Sequence, residues 1–183
     1  VTFPKGEGQI PIYYAHKNSG RPATSATWTH IDSIPVHAVQ HSTGNTNHTL
    51  DYGYTPLYPF GFGLSYTTFE YGNVELSSSE IGEGKTLQAS TTITNTGKTA
   101  GVETVQCYIR DVAAKYTRPV RELVAYKQVS LQPGESVKVT FDLGPDQMGS
   151  YYPDGSFVTE KGEFHVWIAP NAADGQLAKF VLN

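Results

Sequence analysis

The stretch Pro56-Leu57-Tyr58-Pro59-Phe60-Gly61-Phe62-Gly63-Leu64-Ser65-Tyr66-Thr67-Thr68-Phe69 divides the chain into two regions of different character. It contains two prolines, two glycines and five aromatic residues. This composition is too apolar for a flexible linker and too rich in proline and glycine for a helix. We therefore interpret the stretch as an extended connector whose aromatic rings are packed between two folded bodies.

Strand-like runs follow the connector at about residues 69–76, 86–95, 102–112, 122–131, 136–143, 162–169 and 176–182. Turn signals built from Gly, Pro, Asn and Asp separate them. Three runs alternate clearly and present apolar faces, which consist of Leu87, Ala89, Thr91 and Ile93, of Val137, Val139, Phe141 and Leu143, and of Phe164, Val166 and Ile168. The pattern predicts a mainly β domain, an antiparallel sandwich of the immunoglobulin or fibronectin type III kind.

The single cysteine bears on the choice between an immunoglobulin and a fibronectin type III sandwich. Cys107 has no second cysteine with which to form the disulfide of an antibody-type domain, which favours the fibronectin version. It alternates with Val105 and Ile109, so we expect a buried and unreactive thiol.

Residues 1–55 show no sustained helical or strand period, apart from one short candidate strand at 9–14. A structureless stretch as long as 16–49 is uncommon inside a compact domain. Alone it could not bury enough apolar area to offset its ordering entropy, so we expect it to be the tail of a larger domain. Because the chain starts at Val1 rather than at Met, we also expect a processed or truncated chain.

Charge and hydropathy bear on the choice of partners. The formal net charge is −4 and only 16% of the residues are charged, which gives no reason to expect nucleic acid or an anionic membrane. No apolar run approaches the roughly 18 residues of a membrane span. We therefore expect neither a nucleic-acid partner nor a membrane partner.

The histidines raise the question of a metal. His37 and His41 are spaced for one face of a helix that would start after Pro35, and His48 follows. No carboxylate or thiol stands at ligand spacing, so we expect ordinary loop histidines and no metal site. The triplet 47–49 is a formal glycosylation sequon, which matters only for a secreted eukaryotic protein.

Glycoside hydrolysis needs a pair of carboxylates. Asp32, Asp51, Asp111 and Glu122 are available, but nothing in their spacing distinguishes a pair. Asp111 has a simpler role open to it, as the ion-pair partner of Arg110 or Arg118.

The loop 111–121 is too long for a tight hairpin and carries three cations and a tyrosine. It is either a solvated surface loop, or an element that packs on a neighbouring domain or overhangs a sugar-binding cleft. On the second reading, the substrate-proximal candidates are Lys115, Tyr116, Arg118 and, outside the loop, Asp51.

Three ordered motifs resemble glycoside hydrolase family 3, the family of many β-glucosidases and β-xylosidases. They are Phe3-Pro4 with Gly8-Gln9-Ile10-Pro11-Ile12-Tyr13-Tyr14-Ala15-His16-Lys17 and Gly20-Arg21-Pro22; the connector from Pro56 to Thr67; and Arg118-Pro119-Val120-Arg121-Glu122-Leu123-Val124-Ala125-Tyr126 with Leu131-Gln132-Pro133-Gly134-Glu135. Two details depart from the family pattern. Leu50 precedes Asp51 where the family usually has a Tyr-x-Asp, and Ala125 replaces a glycine.

The resemblance implies a domain order. The connector would leave an α/β sandwich domain, of which residues 1–68 are the C-terminal tail and connector, and enter a fibronectin type III-like domain at 69–183. Family 3 enzymes are retaining, with an Asp nucleophile on a barrel domain and an acid/base Glu on the α/β sandwich domain. Both motifs lie upstream of the residues present, so the resemblance implies no catalytic residue in this chain.

The resemblance also implies a substrate, a partner and a cellular location. The substrate would carry a terminal β-D-glucosyl or β-D-xylosyl residue, and no cofactor is expected. The partner would be the N-terminal remainder of the enzyme, a homodimer is one assembly it allows, and the location would be secreted or periplasmic. Two alternatives remain open from the residues. One is a free-standing carbohydrate-binding or adhesion module that stacks sugars on Trp28, Tyr116, Tyr151 and Tyr152; the other is an interaction scaffold.

Overall fold

The computed structural model describes residues 2–10, 12–18, 22–39 and 50–183. His41, His48 and the sequon at 47–49 lie outside these residues. The strands are β1 (Phe69–Tyr71), β2 (Glu75–Leu76), β3 (Glu80–Ile81), β4 (Leu87–Asn95), β5 (Gly101–Asp111), β6 (Glu122–Leu131), β7 (Ser136–Leu143), β8 (Ser150–Tyr151), β9 (Phe157–Val158), β10 (Gly162–Ala169) and β11 (Ala178–Leu182). A 3₁₀ turn spans Ile31–Ser33, and a one-turn helix, α1, spans Pro145–Met148.

The first sheet is centred on β4. Its residue Ile93 pairs with Tyr71 of β1 at one edge and with Val137 of β7 at the other, and both pairings are antiparallel. Strand β2 pairs with β4 further along, at Ser90 and Ala89. Strands β1 and β2 are thus two short pieces beside the same neighbour, where the sequence predicted one strand over 69–76. The break falls at Gly72, whose carbonyl accepts a hydrogen bond from the Thr91 hydroxyl (2.8 Å) and so leaves the regular ladder.

The second sheet has the order β3-β11-β10-β5-β6. All its pairings are antiparallel except β3 with β11, which is parallel. A register shift between Cys107 and Tyr108 bends the β5–β6 pair next to the loop that joins them. Strands β8 and β9 form a separate two-stranded hairpin.

The two sheets enclose one hydrophobic core. All three predicted apolar faces contribute to it: β4 supplies Leu87, Ala89 and Ile93, β7 supplies Val139, Phe141 and Leu143, and β10 supplies Phe164, Val166 and Ile168. The Phe164 and Phe180 rings stack at 5.3 Å between centroids. The predicted mainly β, antiparallel sandwich is therefore confirmed.

Three short strands were not predicted. Strands β3, β8 and β9 have two residues each, too few to show an alternating pattern. The candidate strand at 9–14 was wrong for the described residues of that stretch, which adopt no strand. No neighbouring strand in the described structure offers them a ladder of backbone hydrogen bonds.

The N-terminal segment packs on the outer face of β5. The Tyr14 ring stacks on Phe60 (4.0 Å between centroids) and meets Tyr108 edge-on (6.2 Å). Gln106 is buried beside Tyr108, accepts a 2.6 Å hydrogen bond from its hydroxyl and donates to the carbonyl of Gly61 (3.1 Å). Residues 105–109 of β5 are consequently buried on both faces, unlike a sandwich strand with one solvated side.

Candidate functional site

The loop 111–121 begins with a buried carboxylate. Asp111 is only 7% exposed, and its Oδ1 accepts a 3.2 Å hydrogen bond from the Ala113 backbone N–H, which turns the chain out of β5. Its other oxygen, Oδ2, is buried and has no hydrogen-bond partner. Burial raises the pKa of Asp111, an effect that this hydrogen bond and the charge of Arg118 partly offset and that Glu160 reinforces.

Arg118 forms its ion pair elsewhere. Its Nη2 lies 3.1 Å from Glu122 Oε2, and the side chain is 11% exposed. The same guanidinium donates to the backbone carbonyls of Met148 (3.4 Å) and Gly149 (3.3 Å) at the end of α1. Asp111 has no ion pair within the described ranges, so neither of the pairings that the sequence suggested, with Arg110 or with Arg118, is formed.

Lys115 and Tyr116 form the exposed tip of the loop. The Lys115 backbone N–H donates to both oxygens of Glu160, at 3.0 and 2.9 Å. The Tyr116 ring meets the Tyr152 ring edge-on at 4.8 Å, and Lys115 Nζ lies 5.7 and 5.5 Å from the two ring centroids. A hydrogen bond to Glu160, together with partial desolvation, raises the pKa of Tyr152 to about 12.

A small cleft opens beside this loop. Its volume is about 180 Å³, and its polar lining comes from Asn18, Arg110, Asp111, Thr117 and Arg118. The backbone around Ala113 completes the wall. The residues that line the cleft thus carry charges of both signs.

Asp51 lies in a different cluster. It is exposed and accepts a 3.0 Å hydrogen bond from the Tyr52 backbone N–H. Nearby, a second cavity of about 320 Å³ is lined by Lys5, Ser25, Trp28, Gly53, Tyr54 and Thr55. No described contact joins Asp51 to Lys115, Tyr116 or Arg118. The structure brings Lys115 and Tyr116 together at the loop tip, while Arg118 contacts Glu122 and the end of α1 and Asp51 lies in another cluster.

Arg121 joins the end of the loop to the rest of the sandwich. Its Nη1 donates to the carbonyls of Ala172 (2.6 Å) and Asp174 (2.8 Å), in the turn between β10 and β11. Its guanidinium lies 4.2 Å from the Trp167 ring centroid and 5.6 Å from that of Tyr108. Burial is the main cause that lowers the pKa of Arg121. The sequence showed only a loop cation here, since the two carbonyl groups that Arg121 binds lie about 50 residues away.

Glu160 and Tyr152 were also missed by the sequence analysis as partners of the loop. The signal available was the Tyr151-Tyr152-Pro153-Asp154-Gly155 turn, which marks an aromatic hairpin but not its neighbour. In the structure the exposed Tyr151 ring contacts Phe157 edge-on at 5.0 Å. The hairpin and the loop thus present four aromatic side chains at one end of the sandwich.

Neither the cysteine nor the histidines that the structure describes form a reactive or metal-binding site. Cys107 is buried, and burial raises its pKa to about 12, as expected for an unreactive thiol. Within residues 2–10, 12–18, 22–39 and 50–183, no three His, Cys, Asp or Glu side chains come close enough to hold a metal ion. His37 lies in a turn with a positive φ of 69°, where the sequence allowed a helix after Pro35.

The connector is uneven in its exposure. Phe60 is half-buried against Tyr14, whereas Phe62 is 43%, Leu64 92% and Tyr66 100% exposed. Leu64 and Tyr66 are therefore two large side chains, two positions apart in the connector, that are open to solvent.

Comparison with known proteins decides the family. The fibronectin type III-like domain family matches residues 103–172. The chain is 35% identical over 182 residues to a periplasmic β-glucosidase of Salmonella typhimurium, which matches 100% of this chain and 22% of that protein. The chain is the C-terminal portion of a glycoside hydrolase family 3 enzyme. A putative β-xylosidase of Formosa agariphila is also 35% identical over 182 residues, across 100% of this chain and 21% of that protein.

Solved structures agree with this family 3 assignment. The β-glucosidase from Listeria innocua in complex with gluconolactone matches with a TM-score of 0.82 and 34% identity, over 100% of this chain and 23% of that one. The family 3 segment therefore spans about a fifth of the length of the relatives it matches. Among its described residues, no helix combines the length and the apolar character needed to cross a bilayer.

Proposed function

We propose that this chain is the C-terminal part of a retaining β-glycosidase that removes terminal β-D-glucosyl or β-D-xylosyl residues. On this proposal both catalytic carboxylates lie on the remainder of the enzyme, and residues 1–68 are the tail of its α/β sandwich domain. The fibronectin type III-like sandwich at 69–183 braces the other domains. The periplasmic relative supports a secreted or periplasmic location.

One observation carries the proposal: the chain matches a periplasmic β-glucosidase along its whole length but covers only 22% of that protein. The exposed side chains of the connector support a bracing role, because Leu64 and Tyr66 would leave water on docking to a further domain. Full burial of each is worth about 1.5–3 kcal/mol.

Activity assays on two proteins test the function. The full-length enzyme should release 4-nitrophenol from 4-nitrophenyl β-D-glucoside or β-D-xyloside, whereas the 183-residue segment alone should not. Turnover by the isolated segment would contradict the placement of the catalytic carboxylates. An inactive but folded full-length enzyme would contradict the activity itself.

The bracing role has its own test. Leu64→Asp and Tyr66→Asp in the full-length enzyme should lower the melting temperature, because each puts a charge into the proposed interface. Tyr151→Asp is the matched control, since Tyr151 is 77% exposed on the β8–β9 hairpin and no described contact joins it to the connector. Deletion of residues 70–183 should likewise reduce thermal stability more than activity per folded molecule. Equal melting temperatures for all three point variants would contradict the proposed interface between the connector and another domain.

We also propose that the loop 111–121 contributes to recognition of the leaving part of longer substrates. Lys115 and Tyr116 carry this proposal, because they are exposed at the loop tip, while Arg118 is held by Glu122 and the end of α1. Alanine at Lys115 or Tyr116 should raise KM for tri- and tetrasaccharides and leave KM for aryl glycosides unchanged. Asp51→Ala is tested separately, as it belongs to another cluster. Unchanged KM values for all substrates would make the loop a surface feature only.

A further inference from the structure

The two longest edge strands of the sandwich lie on the same side. Each sheet ends on its other side in very short strands, β1 and β2 in the first sheet and β3 in the second. The long edge strands are β6, with ten residues, and β7, with eight. In the part of the chain that the structure describes, β6 pairs only with β5 and β7 only with β4. The turn 132–135 joins these two edges, and we call them together the open side.

A long free edge is a template on which a further strand can add, whereas very short edge strands offer little to pair with. Strand β6 has one interruption, because Val124 is an extra residue where the register shifts opposite Cys107 and Tyr108. Such a bulge twists an edge away from a partner. It lies near the start of β6, so the middle of the strand needs another form of protection.

Lys127 stands in the middle of β6 and points into the sandwich. It is directly opposite Val105, which is fully buried in the core, and directly opposite residues share one face of a sheet. The neighbours of Lys127 on this face, Ala125 and Val129, pack against the core. A charged residue therefore occupies an inward position in an otherwise apolar row. Inward-pointing charges are one of the ways in which proteins protect sheet edges.

The contacts of Lys127 span the gap between the two sheets. Its Nζ donates to the backbone carbonyl of Thr140 in β7 and lies 5.4 Å from the centroid of the buried Phe141 ring. These partners are a neutral carbonyl and an aromatic ring rather than a carboxylate. Lys127 is an exposed residue, so water reaches its ammonium group from the open side.

A strand added to the open side would remove this water. The ammonium group would then be buried without a carboxylate, which is costly. On β7, the added strand would compete with Lys127 at Thr140. On β6, two-fold pairing about the middle of the strand would bring two Lys127 side chains together, and like charges on opposite residues are destabilising. The repulsion acts against a second copy of the chain, since a two-fold contact brings the same surface of both copies together.

We propose that Lys127 guards the open side against strand pairing with a second copy of this chain. The edges of β6 and β7 are a latent pairing surface, and the inward charge keeps them unpaired. The inference goes beyond the proposed glycosidase function, because it requires neither substrate nor turnover.

The assembly state of the full-length enzyme tests the proposal, measured by size-exclusion chromatography with light scattering over a range of concentrations. Lys127→Met keeps much of the apolar stem and removes the charge. We expect it to raise the fraction of protein larger than the wild-type assembly by about fivefold or more at equal concentration. Lys127→Arg keeps the charge and should behave as the wild type. The matched control is Lys138→Met, which removes an exposed charge from the outer face of β7 and should leave the assembly unchanged.

Hydrogen exchange locates the new contact. In the associated Lys127→Met enzyme, backbone amides within 122–131 or 136–143 should exchange more slowly than in the same variant diluted to the wild-type size. Lys127→Gln, which removes the charge but keeps a polar side chain, gives the same reading if Lys127→Met does not fold. A folded uncharged variant that keeps the wild-type assembly would overturn the proposal. So would association without slower exchange in either strand, or a crystal structure of the full-length enzyme in which another domain covers the open side.

Discussion

Replacement of Arg121 should destabilise the sandwich more than any exposed cation does. Its guanidinium donates to the carbonyls of Ala172 and Asp174 at 2.6 and 2.8 Å and lies 4.2 Å from the Trp167 ring centroid. The variant Arg121→Met keeps much of the apolar stem but removes both donors and the charge. The turn between β10 and β11 would then lose its attachment to β6.

The expected magnitude follows from these contacts. A hydrogen bond from a charged donor is worth about 1.5–3 kcal/mol, and the two here share one nitrogen, so their sum is less than twice this value. The cation–π contact adds about 0.5–2 kcal/mol. We therefore expect Arg121→Met to reduce the free energy of unfolding by about 2–4 kcal/mol. Arg121→Lys, which keeps the charge without the planar fork, should cost about 1–2 kcal/mol.

Urea unfolding followed by tryptophan fluorescence measures this loss, because Trp167 itself stacks on Arg121. Lys138→Met is the matched control: its ion pair with Glu75 is short, 2.6 Å, but both side chains are more than half exposed. Such pairs contribute about 0–1 kcal/mol. If Arg121→Met were no more destabilising than Lys138→Met, the assignment of Arg121 as the anchor of this turn would be refuted.

Three further outcomes are expected. Phe164→Ala should lower the free energy of unfolding, measured with urea, by about 3–5 kcal/mol, because the ring is fully buried against Phe180. A loss below ~1 kcal/mol would contradict the core packing. Gln106→Leu removes the hydrogen bond to the Gly61 carbonyl, so protease cleavage at 61–66 should become about fivefold faster or more, and an unchanged rate would argue against this anchor. Burial raises the folded-state pKa of Asp111 above its ordinary value of 3.8, so the folded protein holds this proton longer than the unfolded chain. The contribution of Asp111 to wild-type stability should then fall as the pH rises from its unfolded-state pKa through its folded-state pKa. Asp111→Asn should therefore gain on the wild type as the pH is raised from 3 to 7, and a pH-independent difference would exclude this linkage.

Period-two alternation made most of the sandwich predictable. In β10, Phe164, Val166 and Ile168 are all buried in the core, as the pattern required. The alternation works because one face of each strand meets the opposite sheet. It fails for β3, β8 and β9, where two residues carry no period, and at Gly72, where a side-chain hydrogen bond interrupts the ladder.

The candidate site was predictable only in part. Lys115, Tyr116 and Arg118 were selected because the loop is long and basic. The structure joins Lys115 to Tyr116, whereas Arg118 pairs with Glu122. Asp51 was selected beside them, yet it lies in another cluster. The partners Glu160 and Tyr152 come from a segment more than 30 residues further along the chain, and no local pattern links them to the loop.

By itself, the sequence determined the long strands of the sandwich, the faces that enter the core, and the family 3 motifs that frame the connector. These features depend on local alternation and on short runs of residues. Only the tertiary structure decided that residues 105–109 of β5 are buried on both faces, that Arg121 joins the loop to the β10–β11 turn, and that Asp111 retains a buried oxygen without a hydrogen-bond partner. Each of these depends on atoms brought together from distant parts of the chain, where burial and hydrogen-bond geometry, rather than residue order, set the energy.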